Sequence, residues 1–167
     1  MKACYPGTFD PITNGHLDII ERASRMFEEL VVMIMDNPRK KCAFSVEKRK
    51  EMIEKSLADI DHPRNVRVEI GYGLTVNYAE HLECGAIIRG IRAVSDYEYE
   101  LQQATANLSL NDQIETLFFI ARPAYSFLSS SVCKEIAMNG GKLDGFIPTA
   151  IIQEVMKELY VPMEKLK

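Results

Sequence analysis

Between Tyr5 and His16 the chain reads Tyr5-Pro6-Gly7-Thr8-Phe9-Asp10-Pro11-Ile12-Thr13-Asn14-Gly15-His16. These residue types, in this order, can bind an anion and act on it. Gly7 and Gly15 let backbone approach a ligand closely, and Thr8, Thr13 and Asn14 supply hydroxyl and amide groups where a helix can begin. The amides of such a helix start attract phosphate. His16 falls in the first turn and is the one side chain there able to carry a proton near neutral pH. The same residues would also serve as a plain capped turn with a structural histidine, so the loop has to be weighed with the rest of the chain.

The elements that must position this loop are legible in the apolar spacing. Ala3 to Tyr5 is a short apolar run that ends at Pro6 and Gly7. After the loop, Leu17, Ile20, Ala23 and Phe27 recur at helical spacing and predict a helix to about Glu29. Leu30 to Met35 is a near-continuous apolar run and predicts a strand buried on both faces. Arg39, Lys40 and Lys41 follow it, and Ser45 with Glu47 opens a helix from Val46 to Leu57. Val66 to Ile70 alternates as a strand does, Gly71 to Thr75 ends it, and a helix runs from Val76 to Glu83. Ala86 to Ile88 predicts a short strand, followed at once by Arg89-Gly90-Ile91-Arg92. Ser95 and Asp96 are the expected caps of a long helix to Leu110, with Tyr99 and Leu101 as core candidates. Thr116 to Ala121 predicts a fifth strand. Tyr125 to Ser131 leads into a helix over Val132 to Met138, stopped by Asn139-Gly140-Gly141, and Pro148 opens a last helix to Tyr160.

Five strands alternating with helices predict an α/β domain spanning 1–167, a doubly wound five-stranded parallel sheet with right-handed crossovers. Ligands bind such sheets beyond the carboxyl ends of the strands. Each unusual polar cluster falls just after a strand, so the topology would bring them all to one edge.

Composition narrows the classes. The 167 residues are 47% hydrophobic with a formal net charge of -4, which offers no broad basic field for nucleic acid. The four cysteines are widely spaced, without a metal-like or disulfide-framework pattern. The start of the chain shows no leader pattern and no window approaches a membrane span, so a cytosolic protein is expected. Neither GxGxxG after a strand nor GxxxxGK[ST] is present, which disfavours dinucleotide dehydrogenases and P-loop kinases. One histidine, a helix start and scattered cations suit phosphoryl-type transfer. That chemistry needs alignment of attacking and leaving oxygens, and donors that strengthen on charge developing in the transition state. An attacking phosphate is already anionic and needs no general base.

Thr13-x-Gly15-His16 resembles the (H/T)xGH signature of nucleotidyltransferases, and YPGTFDPITNGH resembles the phosphopantetheine adenylyltransferase family; threonine at position 13 favours the adenylyl branch over the cytidylyl one. The resemblance covers essentially the whole chain and implies a Rossmann-like nucleotidyltransferase fold. The implied reaction is transfer of AMP from ATP to 4'-phosphopantetheine, the penultimate step of coenzyme A synthesis. It also implies residue roles. Thr8 and Phe9 line the ATP site, Thr8 also meets the acceptor phosphate, and His16 stabilises the transition state. Lys40 and Arg89 are cations on the phosphopantetheine side, and Thr75 lines the pantetheine arm. Gly90, Ile91, Arg92 and Glu100 form a nucleotide-binding segment with its acidic partner. Tyr125, Ser126, Phe127, Leu128, Ser129, Ser130 and Ser131 match a WSFISSS-like segment that holds ATP phosphates.

Alternatives stay open at several of these positions. Lys41 could take the place of Lys40, Arg89 could pair with Glu98 or Asp96, and Ser129 to Ser131 could be only a cap. The resemblance further implies Mg2+ held through ATP phosphates without protein metal ligands, a homohexamer, and coenzyme A as a possible feedback ligand. Asp36, where small residues are usual, and Cys42, where proline is frequent, are departures. Two rival readings are a relative acting on nicotinamide mononucleotide or glycerol phosphate, and an ATP-sensing module without catalysis.

Overall fold

The computed structural model describes residues 1–36, 41–59 and 64–162. Among them, five strands and six α-helices alternate along most of the chain. They are β1 (Lys2–Gly7), α1 (Asn14–Ser24), β2 (Glu29–Asp36), α2 (Val46–Ala58), β3 (Val66–Tyr72), α3 (Thr75–His81), β4 (Ala86–Ile91), α4 (Val94–Leu110), β5 (Glu115–Ile120), α5 (Ser130–Met138) and α6 (Ile152–Leu159). The sheet order is β3-β2-β1-β4-β5, all parallel. Strand order therefore reverses at β1, and the crevice between the ends of β1 and β4 is where a ligand is expected.

The sheet's central strands are apolar on both faces because both are covered. Tyr5, Leu30, Val32 and Ile88 pack under α1, α2, α5 and α6 with Ile20, Ile53 and Val155. Cys4, Val31, Met33 and Ile87 meet α3 on the other face. Cys4, Cys84 and Cys133 are buried free thiols. No helix among the described residues is long and apolar enough to cross a membrane.

Several boundaries differ from the sequence reading, among them β4, which runs on from Ile88 through Arg89, Gly90 and Ile91. β1 runs on through Pro6 and Gly7, and the Pro6 carbonyl accepts from Arg89. Helix α1 stops at Ser24, and Glu29 instead enters β2 opposite Lys2. Helix α4 begins at Val94 after an extended Ala93, and Asp96 spends its carboxylate on Arg92 rather than on a cap. Pro148 leads first into a short 3-10 turn, Thr149–Ile151, and only then into α6. A larger departure concerns packing. Tyr99 and Leu101 are 59% and 43% exposed, and α4 contains no buried residue at all. Tyr99 borders a cavity and the Tyr97 ring packs against Phe118, while Val94, Leu101, Leu108 and Leu110 are exposed.

Candidate active site

The loop after β1 is fixed by groups that come from distant parts of the chain. Phe9 is 2% exposed with φ of 49°, a left-handed conformation that a non-glycine residue holds only when its surroundings enforce it. A Cβ on Gly7 would lie 2.8 Å from the Phe9 ring, so the glycine is needed for this fold-back. Asp10 provides the enforcement. Its buried carboxylate accepts from the Ala43 and Phe44 amides at 2.9 and 3.0 Å and from Lys134 Nζ at 2.7 Å. Burial alone would raise the Asp10 pKa, but the Lys134 ammonium and the two amides outweigh it and hold it below the usual carboxylate range. Ser130 Oγ donates to the Pro11 carbonyl at 2.7 Å. Arg49, 2% exposed, donates to Thr8 O at 2.8 Å and Phe44 O at 3.2 Å and pairs with Asp36 at 3.2 Å.

These braces were not legible in the sequence. Arg49 and Lys134 lie in α2 and α5, and only their long-range partners reveal their roles. Asp10→Asn keeps the shape but leaves Lys134 facing a neutral amide. Urea unfolding should then show a loss of about 3 kcal/mol, the range found when one partner of a buried ion pair is removed.

Thr13 caps α1 reciprocally with His16. The His16 amide lies 3.3 Å from Thr13 Oγ1, and the Thr13 amide donates to His16 Nδ1 at 3.0 Å. A backbone N–H can only donate, so Nδ1 is the acceptor and the ring proton resides on Nε2. The imidazole stands edge-on to Phe9 at 5.0 Å. Burial, with the charges of Arg92 and Arg89, lowers its pKa from 6.5 to about 4. This corrects the expectation of a ring that titrates near neutrality: His16 is a neutral Nε2–H donor at physiological pH. Between pH 6.5 and 4 the unfolded chain binds a proton that the native state refuses, so acid costs stability across that window. Replacing His16 by asparagine should flatten the fall in thermal midpoint between those two pH values.

Arg89, at the end of β4, grips Glu100 of α4 with Nε and Nη2 at 2.5 and 2.7 Å and donates to Pro6 O at 3.0 Å. Glu100, rather than Glu98 or Asp96, is therefore its partner. Arg92 pairs with Asp96 at 3.0 Å and reaches Leu128 O at 2.5 Å. Gly90 lies between the two arginines. A Cβ there would lie 2.6 Å from Ile19 Cδ1, so a larger residue would require that terminal methyl to move.

A cavity of about 260 Å³ occupies the crevice. Thr8, Phe9, His16, Arg89, Gly90, Arg92, Glu100, Tyr125, Leu128, Ser129 and Ser130 all line it. Ser129 caps α5 by accepting from the Val132 amide, so this wall is a helix start as expected. Ile91 does not line the cavity; it is 7% exposed inside the sheet. Ser126 bonds back to Pro123 O, Phe127 is exposed with its ring against Phe146, and Ser131 is exposed in the first turn of α5. A second cavity of about 620 Å³ adjoins the first. Thr75 lines it together with Asp36, Tyr99, Gln103 and Asn107, and Pro6, Gly7, Thr8 and Arg89 line both. Lys40 lies outside the described residues.

The doubly wound sheet, the TxGH helix start and two cavities meeting at Thr8 and Arg89 define a nucleotidyltransferase. Residues 4–136 match the cytidylyltransferase-like family model. The fold is shared with the Plasmodium falciparum nicotinic acid mononucleotide adenylyltransferase complexed with NaAD, with a TM-score of 0.71 and 14% identity, covering 93% of this chain and 94% of that one. A bifunctional NMN adenylyltransferase/ADP ribose pyrophosphatase from Francisella tularensis gives 0.67 and 18%, covering 93% of this chain and 48% of that one. Sequence similarity is much closer to phosphopantetheine adenylyltransferases. The Finegoldia magna protein is 49% identical over 92% of this chain and 93% of its own length, and the Thermotoga neapolitana protein 48% over 100% and 98%. The chain belongs to the phosphopantetheine adenylyltransferase family.

Proposed function

We propose that this chain transfers the adenylyl group of ATP to 4'-phosphopantetheine, forming dephospho-coenzyme A and pyrophosphate. An oxygen of the acceptor phosphate attacks the α-phosphorus, and the bond from that phosphorus to the bridging oxygen of the β-phosphate breaks. The observation that carries this reading is the meeting of two cavities at Thr8 and Arg89. The smaller holds the helix start and His16, and takes ATP. The larger, of about 620 Å³, takes phosphopantetheine, with Thr75 beside its uncharged arm. At the junction, Arg89 and Thr8 hold the acceptor phosphate, and the family resemblance adds Lys40 to them. Nε2–H of His16 donates to the α-phosphate as charge builds there, while the amides and hydroxyls at Ser129 and Ser130 receive the departing pyrophosphate.

Mg2+ enters with ATP. The carboxylates lining the first cavity, Asp96 and Glu100, are already held by Arg92 and Arg89, which suits a metal bound by phosphate oxygens and water. When bound, the ion would supply charge neutralisation to the triphosphate and to the departing pyrophosphate. The exposed Val94, Tyr97, Leu101, Leu108, Leu110 and Ile120 support contact between copies of the chain in a homohexamer, checked by light scattering. We place the enzyme in the cytosol, with coenzyme A as a ligand competing at the second cavity.

The test is pyrophosphate release from ATP and Mg2+ with 4'-phosphopantetheine, nicotinamide mononucleotide, glycerol 3-phosphate or no acceptor. Release with phosphopantetheine alone is expected. Release with another acceptor only would move the assignment of the second cavity.

A further inference from the structure

Asp18 lies on α1 two residues beyond His16, and its side chain is 4% exposed. The reaction proposed above gives this buried carboxylate nothing to do. Two arginines meet it. Arg122, just past β5, places Nε 2.9 Å from Oδ1, and Arg22, one turn further along α1, places Nη2 2.9 Å from Oδ2. The second approach lacks the alignment of a hydrogen bond, and Arg22 Nε finds no acceptor among the described residues. A buried carboxylate left partly unsatisfied is a poor source of stability, since an apolar side chain of similar volume would serve as well. Its worth lies in what it holds in place.

The held segment is the chain on either side of Ala121. Strand β5 is an edge strand that pairs only with β4. Its last rung is the Ala121 amide donating to Ile91 O at 2.8 Å. Beyond that point the sheet gives no support, and apolar burial gives little, because Ile120 is 65% exposed and residues 122–124 are exposed as well. Helix α1 supplies the anchors instead. Arg22 Nη2 donates to Ile120 O at 2.9 Å, with its guanidinium 5.5 Å from the centre of the Phe119 ring, while Asp18 grips Arg122. Ala121, between these two anchors, lines the first cavity, and the chain runs on from it to Tyr125 and Leu128 in the same lining. Helix α1 contributes His16 and Ile19 to that cavity. The ion cluster therefore ties together two of the segments that bound it.

We propose that Asp18 is a positioning residue for ATP. Through Arg122 directly, and through Arg22 at Ile120 O, it fixes the chain around Ala121 against the helix that carries His16, and so sets the separation of the two segments between which the nucleotide enters. It touches neither substrate. The inference rests on the adenylyltransferase reading only in naming ATP as that nucleotide.

Titration calorimetry with ATP, and the KM values of both substrates, test this on Arg122→Ala, Arg122→Lys and Asp18→Asn. The Arg122 side chain is 57% exposed, so Arg122→Ala should fold with a thermal midpoint within about 3 °C of the wild type. Its Kd for ATP should rise about fivefold, and that of Asp18→Asn about tenfold, with KM for 4'-phosphopantetheine within about twofold. Arg122→Lys keeps a cation in reach of Asp18 and should recover most of the loss. The double variant Asp18→Asn/Arg122→Ala should bind ATP no more weakly than Asp18→Asn alone, because both changes release the same anchor. Unchanged ATP affinity in Arg122→Ala overturns the proposal. An equal rise in both KM values also overturns it, by marking a general loosening of the fold. An additive loss in the double variant does the same, by making Arg122 an independent contact of the nucleotide. If Asp18→Asn fails to fold, the two Arg122 variants still decide: lysine no better than alanine counts against an ionic anchor. ATP binding is read without an acceptor. An enzyme that releases pyrophosphate with phosphopantetheine but is indifferent to these variants refutes this inference alone, and one whose ATP affinity responds as expected yet spares phosphopantetheine refutes only the proposed reaction.

Discussion

His16→Ala lowers kcat by about a thousandfold while the Kd for ATP changes less than about threefold, measured by pyrophosphate release and by calorimetry. The size follows from what one preorganised donor contributes when it faces charge that appears only in the transition state, about 10²–10³ in rate. The split between rate and binding follows from geometry. Thr13 holds Nδ1 as an acceptor, so Nε2–H is fixed in place before substrate arrives and needs no reorganisation. In the proposed reaction its contact with a ground-state phosphate is ordinary, and it gains as negative charge grows. Because its pKa is about 4, the donor is present unchanged from pH 6 to 9. A kcat profile with an ionisation near 6.5 in the wild-type enzyme, absent from His16→Gln, would contradict a neutral donor.

Arg89→Ala lowers kcat/KM for 4'-phosphopantetheine about a hundredfold. That corresponds to about 2.7 kcal/mol, within the range for hydrogen bonds to charged groups. The same variant also disturbs the nucleotide, because Glu100, whose side chain is 12% exposed, is left as a carboxylate beside a triphosphate. The two effects separate in Arg89→Ala/Glu100→Gln. The double variant should recover affinity for ATP and keep the defect towards the acceptor, as read from the two KM values at saturating co-substrate. If both defects disappear together, Arg89 acts only by neutralising Glu100, and its assignment to the acceptor fails.

The parts of this molecule visible in the sequence are those governed by local rules. Apolar runs such as Leu30 to Met35 marked the buried strands, and their alternation with helical patterns implied a parallel sheet with its polar clusters at one end. Thr13, Gly15 and His16 could be read because capping and close approach are contained within four residues. The protonation state of His16 could not, since it depends on Arg89, Arg92 and burial assembled from other strands. Nothing local marks Asp10 as a brace, because its three donors come from positions 43, 44 and 134. Tyr99 and Leu101 were misread as core because apolar character reveals that a side chain will be covered, without revealing by what. The serine-rich stretch before α5 was located correctly, but whether each serine faces the crevice depends on the turn at Pro123 to Tyr125, which sequence spacing does not resolve.

Helix α4 supplies Glu100 and Asp96 to one cavity and Tyr99, Gln103 and Asn107 to the other, and yet none of its residues is buried within the protomer. In the proposed reaction both substrates would therefore be bordered by a helix that has no buried residue. In the proposed homohexamer, ligand occupancy and coverage of this helix would be linked quantities: each would stabilise the same ordered state, and each would lower the free-energy cost of the other. Dilution of the enzyme and withdrawal of ATP should shift the thermal midpoint in the same direction, and high protein concentration should substitute in part for missing nucleotide.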